Sequence, residues 1–196
     1  MCMNDSVLIL NGSPRKHGNT VYLIGRLMEG VREVHPDAEI EVANLAFMKI
    51  GHCRACDACR REDRIGQYCV FKDDMAGLYD KVLQADAIVF ASPIYWFTMT
   101  AQMKLFLDRL YGLWLERTKA LQGKSIAAVM VYGDADPYIS GAINAMHTME
   151  DICKYCGAKL AGIVYGTAND IGDAENNAEL TRKARMLGRA LLYLLP

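Results

Sequence analysis

Short apolar segments alternate with amphipathic segments of helical period along this chain of 196 residues. Residues 7–10 and 87–91 are apolar throughout and too short for a buried helix, which is typical of strands covered on both faces. Residues 40–45, Ser125–Tyr132 and residues 159–165 complete five predicted strands. Because a helix is predicted between each strand and the next, the pattern predicts a parallel sheet with helices on both sides.

The predicted helices carry apolar residues at intervals of three and four. The first spans about residues 20–35, and the second follows Asp74, which we expect to cap it. The third predicted helix carries Met103 and continues toward Trp114. The fourth spans about residues 140–155, and leucines mark the last. Residues 48–72 lack a strong period and are predicted to form a loop.

Composition argues against several classes of function. A formal net charge of −1 disfavours nucleic acid as the main partner. No apolar stretch approaches the roughly 18 residues of a membrane span, and residues 1–5 lack the features of a signal peptide. Seven cysteines, an odd number, favour metal or redox chemistry over a disulfide framework. We therefore expect a cytoplasmic protein that binds neither nucleic acid nor membranes.

The sequence NGSPRKHGNT, residues 11–20, follows the first predicted strand. Ligands bind at this end of open α/β sheets, where the N–H groups and positive dipole end of the next helix face the turn. The spacing of its glycines fits neither a Walker loop nor a dinucleotide fingerprint. A monophosphate site remains, with a capping turn that binds no ligand as the alternative. Its candidate residues are Ser13, Arg15, Gly18, Asn19 and Thr20.

The third predicted strand is followed by the pair Ser92-Pro93 and then by an aromatic cluster, Tyr95, Trp96 and Phe97. It should lie beside the phosphate loop, because carboxyl ends of neighbouring parallel strands share one edge of the sheet. A flat ring could stack there while backbone N–H groups after Pro93 bond its edge. The alternative is that these aromatic residues belong to the core or to a subunit interface. A phosphate site beside a flat-ring site fits flavin mononucleotide (FMN) better than any nucleotide.

Four cysteines are concentrated in residues 53–69. Cys53, Cys56 and Cys59 have the C-x2-C-x2-C spacing with which a wrapped loop aims thiolates at one iron–sulfur cube, and Cys69 follows. A structural zinc site more often pairs two C-x2-C knuckles. Nearby arginines could also lower the pKa of reactive thiols. The spacing therefore favours a [4Fe–4S] cluster over zinc and leaves free thiols open.

Two further groups are predicted to be structural. Cys153 and Cys156 also form a C-x2-C pair, but near the end of a predicted helix, where we expect small buried side chains. Lys104, Asp108 and Arg109 form a charged trio, which helical spacing places on the polar side of the third helix.

Taken together, NGSPRKHGNT, KDDM, ASPIYW and MKLFLDR resemble the motifs of flavodoxin-like NAD(P)H-dependent FMN reductases, including their iron–sulfur flavoprotein branch. The resemblance is strong over residues 7–109 and continues in the order of strands and helices. It implies a single α/β domain, residues 1–196, with a flavodoxin-like three-layer sandwich and a five-stranded parallel sheet of order 2-1-3-4-5. Nine residues separate Cys59 from Cys69, a longer interval than in the iron–sulfur flavoproteins.

The resemblance also implies roles for the site residues. The phosphate would be held by Ser13, Arg15, Asn19 and Thr20, with Gly18 permitting the close turn. The flavin ring would be framed by Pro93, Ile94, Tyr95 and Trp96, and a third wall by Tyr132, Gly133 and Asp134. A cluster would be held by Cys53, Cys56, Cys59 and Cys69.

The implied activity is an FMN-dependent oxidoreductase that takes hydride from NAD(P)H and reduces a flavin, quinone or similar acceptor. The flavin supplies the chemistry, so no catalytic side chain is assigned. The alternative is an iron–sulfur flavoprotein that carries electrons between protein partners, and a third interpretation is a redox sensor. The apolar third helix, with Trp114, suggests a homodimer or homotetramer.

Overall fold

The structure, a computed structural model, describes residues 5–64, 68–113 and 120–193. Strands and helices alternate along these residues, as the apolar pattern predicts. The strands are β1 (Ser6–Asn11), β2 (Glu39–Asn44), β3 (Ala87–Tyr95), β4 (Thr98–Met99), β5 (Ser125–Tyr132) and β6 (Lys159–Thr167). The helices are α1 (Asn19–Val34), α2 (Met75–Gln84), α3 (Ala101–Arg109), α4 (Ala142–Cys156), α5 (Asp173–Asn176) and α6 (Ala178–Ala190).

The main sheet is parallel and has the order β2-β1-β3-β5-β6, while β4 pairs antiparallel with β3. Counting the parallel strands alone, this confirms the predicted flavodoxin-like order 2-1-3-4-5. The chain leaves β1 for β2 on one side and returns to β3 on the other. The carboxyl ends of β1 and β3 therefore flank the point at which ligands bind in such sheets.

Helices cover both faces of the sheet, because successive residues of a strand point to opposite sides. On β1, Leu8 and Leu10 pack with α2, α3 and α4, whereas Val7 and Ile9 pack with α1 and α6. None of the described helices combines the length and apolarity needed to cross a lipid bilayer. Trp114, on which the expected oligomer partly rests, lies outside the described residues.

Helices α1 and α6 approach so closely that two glycines are in backbone contact. A Cβ atom on Gly30 would lie 1.9 Å from the Arg185 carbonyl oxygen, and one on Gly188 would lie 2.0 Å from the Leu27 carbonyl oxygen. Neither carbonyl can move without shifting its helix. This contact brings α6 against α1, the helix that begins at the predicted phosphate loop.

We expect Gly30→Ala to lower the free energy of unfolding by about 3 kcal/mol, the upper end of the cost of overpacking a core. Gly25→Ala is the matched control, since Gly25 lies on the same helix and a methyl group there would meet no atom within 4 Å. That control should gain about 0.5–1 kcal/mol from helix propensity. Urea unfolding of both variants measures the difference, and equal stabilities would contradict the close helix contact.

One local prediction was incomplete and another was wrong. Asp74 is the N-cap residue of α2, as predicted, but its side chain does not cap the helix; its carboxylate accepts from the Lys49 N–H, and Asp73 accepts from the Met75 N–H instead. The third strand does not end at Ser92-Pro93 but continues to Tyr95, because β4 folds back and pairs with its last residues.

Candidate functional site

A cleft opens at the carboxyl ends of β1, β3, β5 and β6 and joins the three predicted cofactor loops. Of the residues predicted to bind the cofactor, all but Trp96 and Asp134 line it. Three further residues that the sequence did not indicate, Val131, Ala168 and Asn169, complete the wall. The lining residues predicted from the sequence are Ser13, Arg15, Gly18, Asn19, Thr20, Pro93, Ile94, Tyr95, Tyr132 and Gly133.

The phosphate loop is shaped by its own short hydrogen bonds. The Asn11 side-chain oxygen accepts from the Ser13 N–H at 3.0 Å, and the Ser13 hydroxyl accepts from the Arg15 N–H at 3.2 Å. Gly18 is the N-cap of α1, so the first N–H groups of that helix lack carbonyl partners within it. Ser13 and Thr20 are buried at this end. The loop therefore offers hydroxyl and N–H donors at the positive end of a helix dipole.

Two predicted phosphate residues use their side chains to hold a loop after β6. The Asn19 amide donates to the carbonyls of Ala168 at 3.1 Å and Asp170 at 2.7 Å, and its oxygen accepts from the Ala174 N–H. The Arg15 guanidinium donates to the Asn169 carbonyl at 3.3 Å. What Asn19 offers a ligand is thus its backbone N–H, whereas the exposed Arg15 can still turn its charge toward the cleft.

The second wall ends in a two-residue hairpin turn between β3 and β4. Trp96 has φ 49° and Phe97 has φ 68°, so both lie in the left-handed region that such turns usually fill with Asn-Gly. This conformation costs about 1–2 kcal/mol for each residue. The strain is not offset by burial, because Trp96 is 91% exposed. Trp96 lies at the tip of the hairpin and is not among the residues that line the cleft.

The start of α4 braces this turn. The Asn144 amide donates to the Phe97 carbonyl at 3.0 Å. Gly141 lies so close that a Cβ atom there would be 2.6 Å from the Phe97 Cα, and its own φ is +75°. These contacts hold the aromatic turn in place beside the cleft.

Thr100 connects the hairpin to the phosphate loop. Its hydroxyl donates to the Gly12 carbonyl at 2.9 Å and caps α3 by accepting from the Met103 N–H at 3.4 Å. Its N–H donates to the Ser92 hydroxyl at 3.0 Å. Gly12 must be glycine here, since a Cβ atom would lie 2.7 Å from the Thr100 hydroxyl oxygen. No motif in the sequence indicated this buried threonine.

We expect Thr100→Val to lower the free energy of unfolding by about 2–3 kcal/mol, because it removes a helix cap and leaves buried polar groups unpaired. Thr100→Ser keeps the hydroxyl and should lose much less. Thermal or urea unfolding separates the two variants. Equal losses in both would contradict a dominant contribution from the hydrogen bonds of the Thr100 hydroxyl.

The third wall follows β5. Tyr132 is buried, and burial raises the pKa of its phenol. A Cβ atom on Gly133 would lie 2.9 Å from the Asn169 side-chain oxygen, so the wall closes against the β6 loop. Asp134 is exposed; its carbonyl accepts from the Thr167 hydroxyl at 2.7 Å, and it is not a lining residue of the cleft.

The four predicted cluster cysteines line a second, separate pocket. Cys53, Cys56, Cys59 and Cys69 face it from a loop in which Ala55 and Asp57 are left-handed, with φ 49° and 56°. Two three-residue 3-10 helices, Ala58–Arg60 and Glu62–Arg64, lie within this loop. The described residues contain no group of three or more His, Cys, Asp or Glu side chains arranged to hold a single metal ion.

Burial raises the pKa of Cys59, and the charges of the other three cysteines raise it further. A backbone hydrogen bond acts in the opposite direction, but the net pKa of Cys59 lies above its ordinary value, which is not the lowered pKa expected of a reactive thiol. Burial also raises the pKa of Cys153, to about 11, and that of Cys156. Cys153 is buried in α4 and Cys156 half-buried at its end, as expected of structural residues.

Arg109 is not on the polar side of α3, as its spacing suggested. It is only 1% exposed and forms a two-pronged ion pair with Asp73, with N–O distances of 2.6 and 3.1 Å. Burial alone would raise the pKa of Asp73, but its hydrogen bonds to Arg109 hold that pKa below the ordinary value. Lys104 and Asp108 do pair on the exposed side of the helix at 2.6 Å. The trio is thus structural, with Arg109 inside.

The sequence comparisons agree with this geometry. Residues 6–168 match the family model of NADPH-dependent FMN reductases. The chain belongs to this family. The match spans the phosphate loop, the hairpin and the third wall, and it confirms the predicted class of enzyme, an NAD(P)H-dependent FMN oxidoreductase.

Among individual proteins, an iron-sulfur flavoprotein of Archaeoglobus fulgidus is 31% identical over 181 residues, which are 90% of this chain and 74% of that protein. A putative NAD(P)H-dependent FMN-containing oxidoreductase of Bacillus subtilis is 27% identical over 94% of this chain and 97% of its own. An NAD(P)H:quinone oxidoreductase from Methanothermobacter marburgensis shares the fold, with a TM-score of 0.71 at 19% identity, covering 96% of each chain.

Proposed function

We propose that this protein oxidises NAD(P)H with an FMN bound in the cleft and passes the electrons to a flavin, quinone or similar acceptor. The observation that carries the proposal is the cleft itself. It combines N–H and hydroxyl donors at the start of α1 with the ends of β3 and β5, at the point where the strand order reverses. Donors for a monophosphate and a wall for a flat ring are what FMN requires.

The residues of the cleft fit the parts of FMN. The phosphate would accept hydrogen bonds from the hydroxyls of Ser13 and Thr20 and from the first N–H groups of α1, with Arg15 supplying charge. The ring would lie along Pro93, Ile94 and Tyr95, where backbone groups can bond its edge. Bound FMN would supply the redox chemistry: it would accept a hydride from NAD(P)H and pass the electrons on to the acceptor. The protein binds, orients and shields the ring.

Steady-state turnover tests this function. NADH or NADPH is offered without oxygen to the FMN-loaded protein, with a quinone or free flavin as acceptor. Oxidation of the nicotinamide well above the rate of free FMN supports the proposal. A loaded protein with no turnover above that background would contradict it and favour an electron carrier.

A second candidate function is electron transfer between protein partners through a [4Fe–4S] cluster in the cysteine pocket. The observation that favours it is that four cysteines, spaced as cluster ligands, line one pocket. Helix α3 links the two candidate sites: its N-cap, Thr100, bonds to the phosphate loop, and its last residue, Arg109, lines the cysteine pocket. Nine residues of α-helix span roughly 13 Å. A cluster would exchange electrons one at a time.

Metal analysis of protein purified without oxygen tests the cluster. We expect about four irons and four acid-labile sulfides for each FMN. Cys56→Ser should lose them, whereas Cys156→Ser, outside the pocket, should keep them. A content of one zinc per chain would mean that the cysteines hold zinc instead of a cluster. Flavin without any metal would mean that the cysteines are free thiols.

A further inference from the structure

Arg109 carries a buried hydrogen-bond donor that the ion pair with Asp73 does not use. Its two terminal nitrogens donate to Asp73 and to the Gly51 carbonyl, the latter at 2.9 Å. Its Nε is buried and has no hydrogen-bond partner among the residues that the structure describes. A buried donor left unpaired costs about 1–3 kcal/mol, so it calls for an explanation.

The residue that carries this unpaired donor lies at the cysteine pocket. Arg109 lines that pocket together with all four cysteines, and its charge interacts first with the Tyr79 phenol and, less strongly, with Cys69. Its guanidinium also packs on the Phe71 ring, 5.3 Å from the ring centroid. Arg54, an exposed arginine, approaches the same ring at 4.8 Å. Arg109 is therefore a buried cation at a pocket that four cysteines line.

We propose that the Nε–H of Arg109 donates a hydrogen bond to a sulfur atom of a [4Fe–4S] cluster held by the four cysteines, and so raises the reduction potential of that cluster. This inference rests on the second proposed function, the cluster. When the cluster gains one electron, supplied by the flavin, its negative charge increases by one and no bond to carbon or hydrogen changes. A fixed N–H donor stabilises the more negative form better, since hydrogen bonds to cluster sulfur help set the potential.

Asp73 fixes the orientation that this role requires. A two-pronged pair restrains the guanidinium plane, so the direction of the Nε–H is set by the other two nitrogens. Asp73 also neutralises much of the positive charge of Arg109. The hydrogen bond, rather than net charge alone, therefore distinguishes arginine from lysine at this position.

The test compares the wild type with Arg109→Lys and with Lys104→Met, all purified without oxygen. Lysine keeps a cation beside Asp73 but has no Nε–H, while Lys104→Met removes an exposed cation from the same helix. Iron, sulfide and flavin are counted first, and the cluster potential is then measured by redox titration followed by electron paramagnetic resonance. We expect a lower potential in Arg109→Lys and an unchanged potential in Lys104→Met.

The outcomes separate the two proposals. A wild-type protein with flavin but no iron would overturn the cluster and this inference with it. A wild-type cluster whose potential is the same in Arg109→Lys would overturn only the role of Arg109.

If the Arg109→Lys variant does not retain its cluster, the hydrogen bond is tested in the wild-type protein. Protein labelled with 15N-arginine is reduced, and pulsed paramagnetic resonance measures coupling between the cluster and arginine nitrogen. Coupling that persists in labelled Arg54→Lys supports the hydrogen bond from Arg109. Absence of such coupling in the wild type overturns it.

Discussion

Replacing Ser13 with Ala and Thr20 with Val is expected to weaken FMN binding by about 10²- to 10⁴-fold. Both side chains are buried at the start of α1, and each would donate to a phosphate dianion. Losing one charge-assisted hydrogen bond costs about 1.5–3 kcal/mol, and each 1.4 kcal/mol is tenfold in affinity. Titration of FMN, followed by the quenching of its fluorescence, measures the change.

Ser125→Ala is the matched control for this double variant. Ser125 is also a buried serine, but it lies at the amino end of β5, where its hydroxyl donates to the Leu191 carbonyl. We expect this control to lose stability and to keep its affinity for FMN. An unchanged affinity in the Ser13 and Thr20 variant would mean that the loop does not bind the phosphate.

The second large effect concerns the strained hairpin. We expect the double substitution Trp96→Asn and Phe97→Gly to raise the free energy of unfolding by about 2 kcal/mol, because Asn-Gly adopts two left-handed residues with little strain. Trp96 contributes little to packing, since it is almost fully exposed. For a chain of this size, the gain corresponds to a rise in Tm of roughly 4–8 °C.

The same substitution tests the predicted role of Trp96 as a partner of the flavin ring, since Trp96 lies beside the cleft rather than among its lining residues. If Trp96 stacks on the bound ring, its loss should weaken FMN binding by about tenfold or more, because such stacking is worth about 1–3 kcal/mol. Opposite signs for stability and affinity are the signature of strain kept for function. Tyr193→Ser is the control, an exposed aromatic residue beside His35 rather than at the hairpin. Equal affinities for FMN in the hairpin variant and the wild type would mean that the hairpin does not contact the bound flavin.

These two predictions depend on different parts of the site. The first tests the phosphate loop alone, which the sequence indicated by its donors and its place after a buried strand. The second tests a turn whose conformation only the structure shows, since Trp-Phe is an unusual pair for a turn with two positive φ angles. If both hold, the cleft binds FMN at both ends.

The alternation of apolar strands and amphipathic helices was enough to determine the sheet and its two covered faces. The inner strands β1, β3 and β5 are recognisable from neighbours in the chain, because a buried strand is apolar at nearly every position, whereas the edge strand β2 alternates. The same local logic placed phosphate donors after β1 and grouped the cysteines by spacing. This logic assigned the loops at the ends of β1 and β3 to one site, whereas the loop after β5 was assigned by the resemblance to FMN reductases.

What the tertiary structure decided are the contacts between residues far apart in sequence. Asn19 holds the β6 loop and thereby adds Asn169 to the cleft, across about 150 residues. Arg109 is buried because Asp73, 36 residues earlier, neutralises it; its helical position alone suggested the polar side. A pattern of neighbours determines which surface a segment buries, but the partner of a buried polar group depends on how the strands are ordered in space.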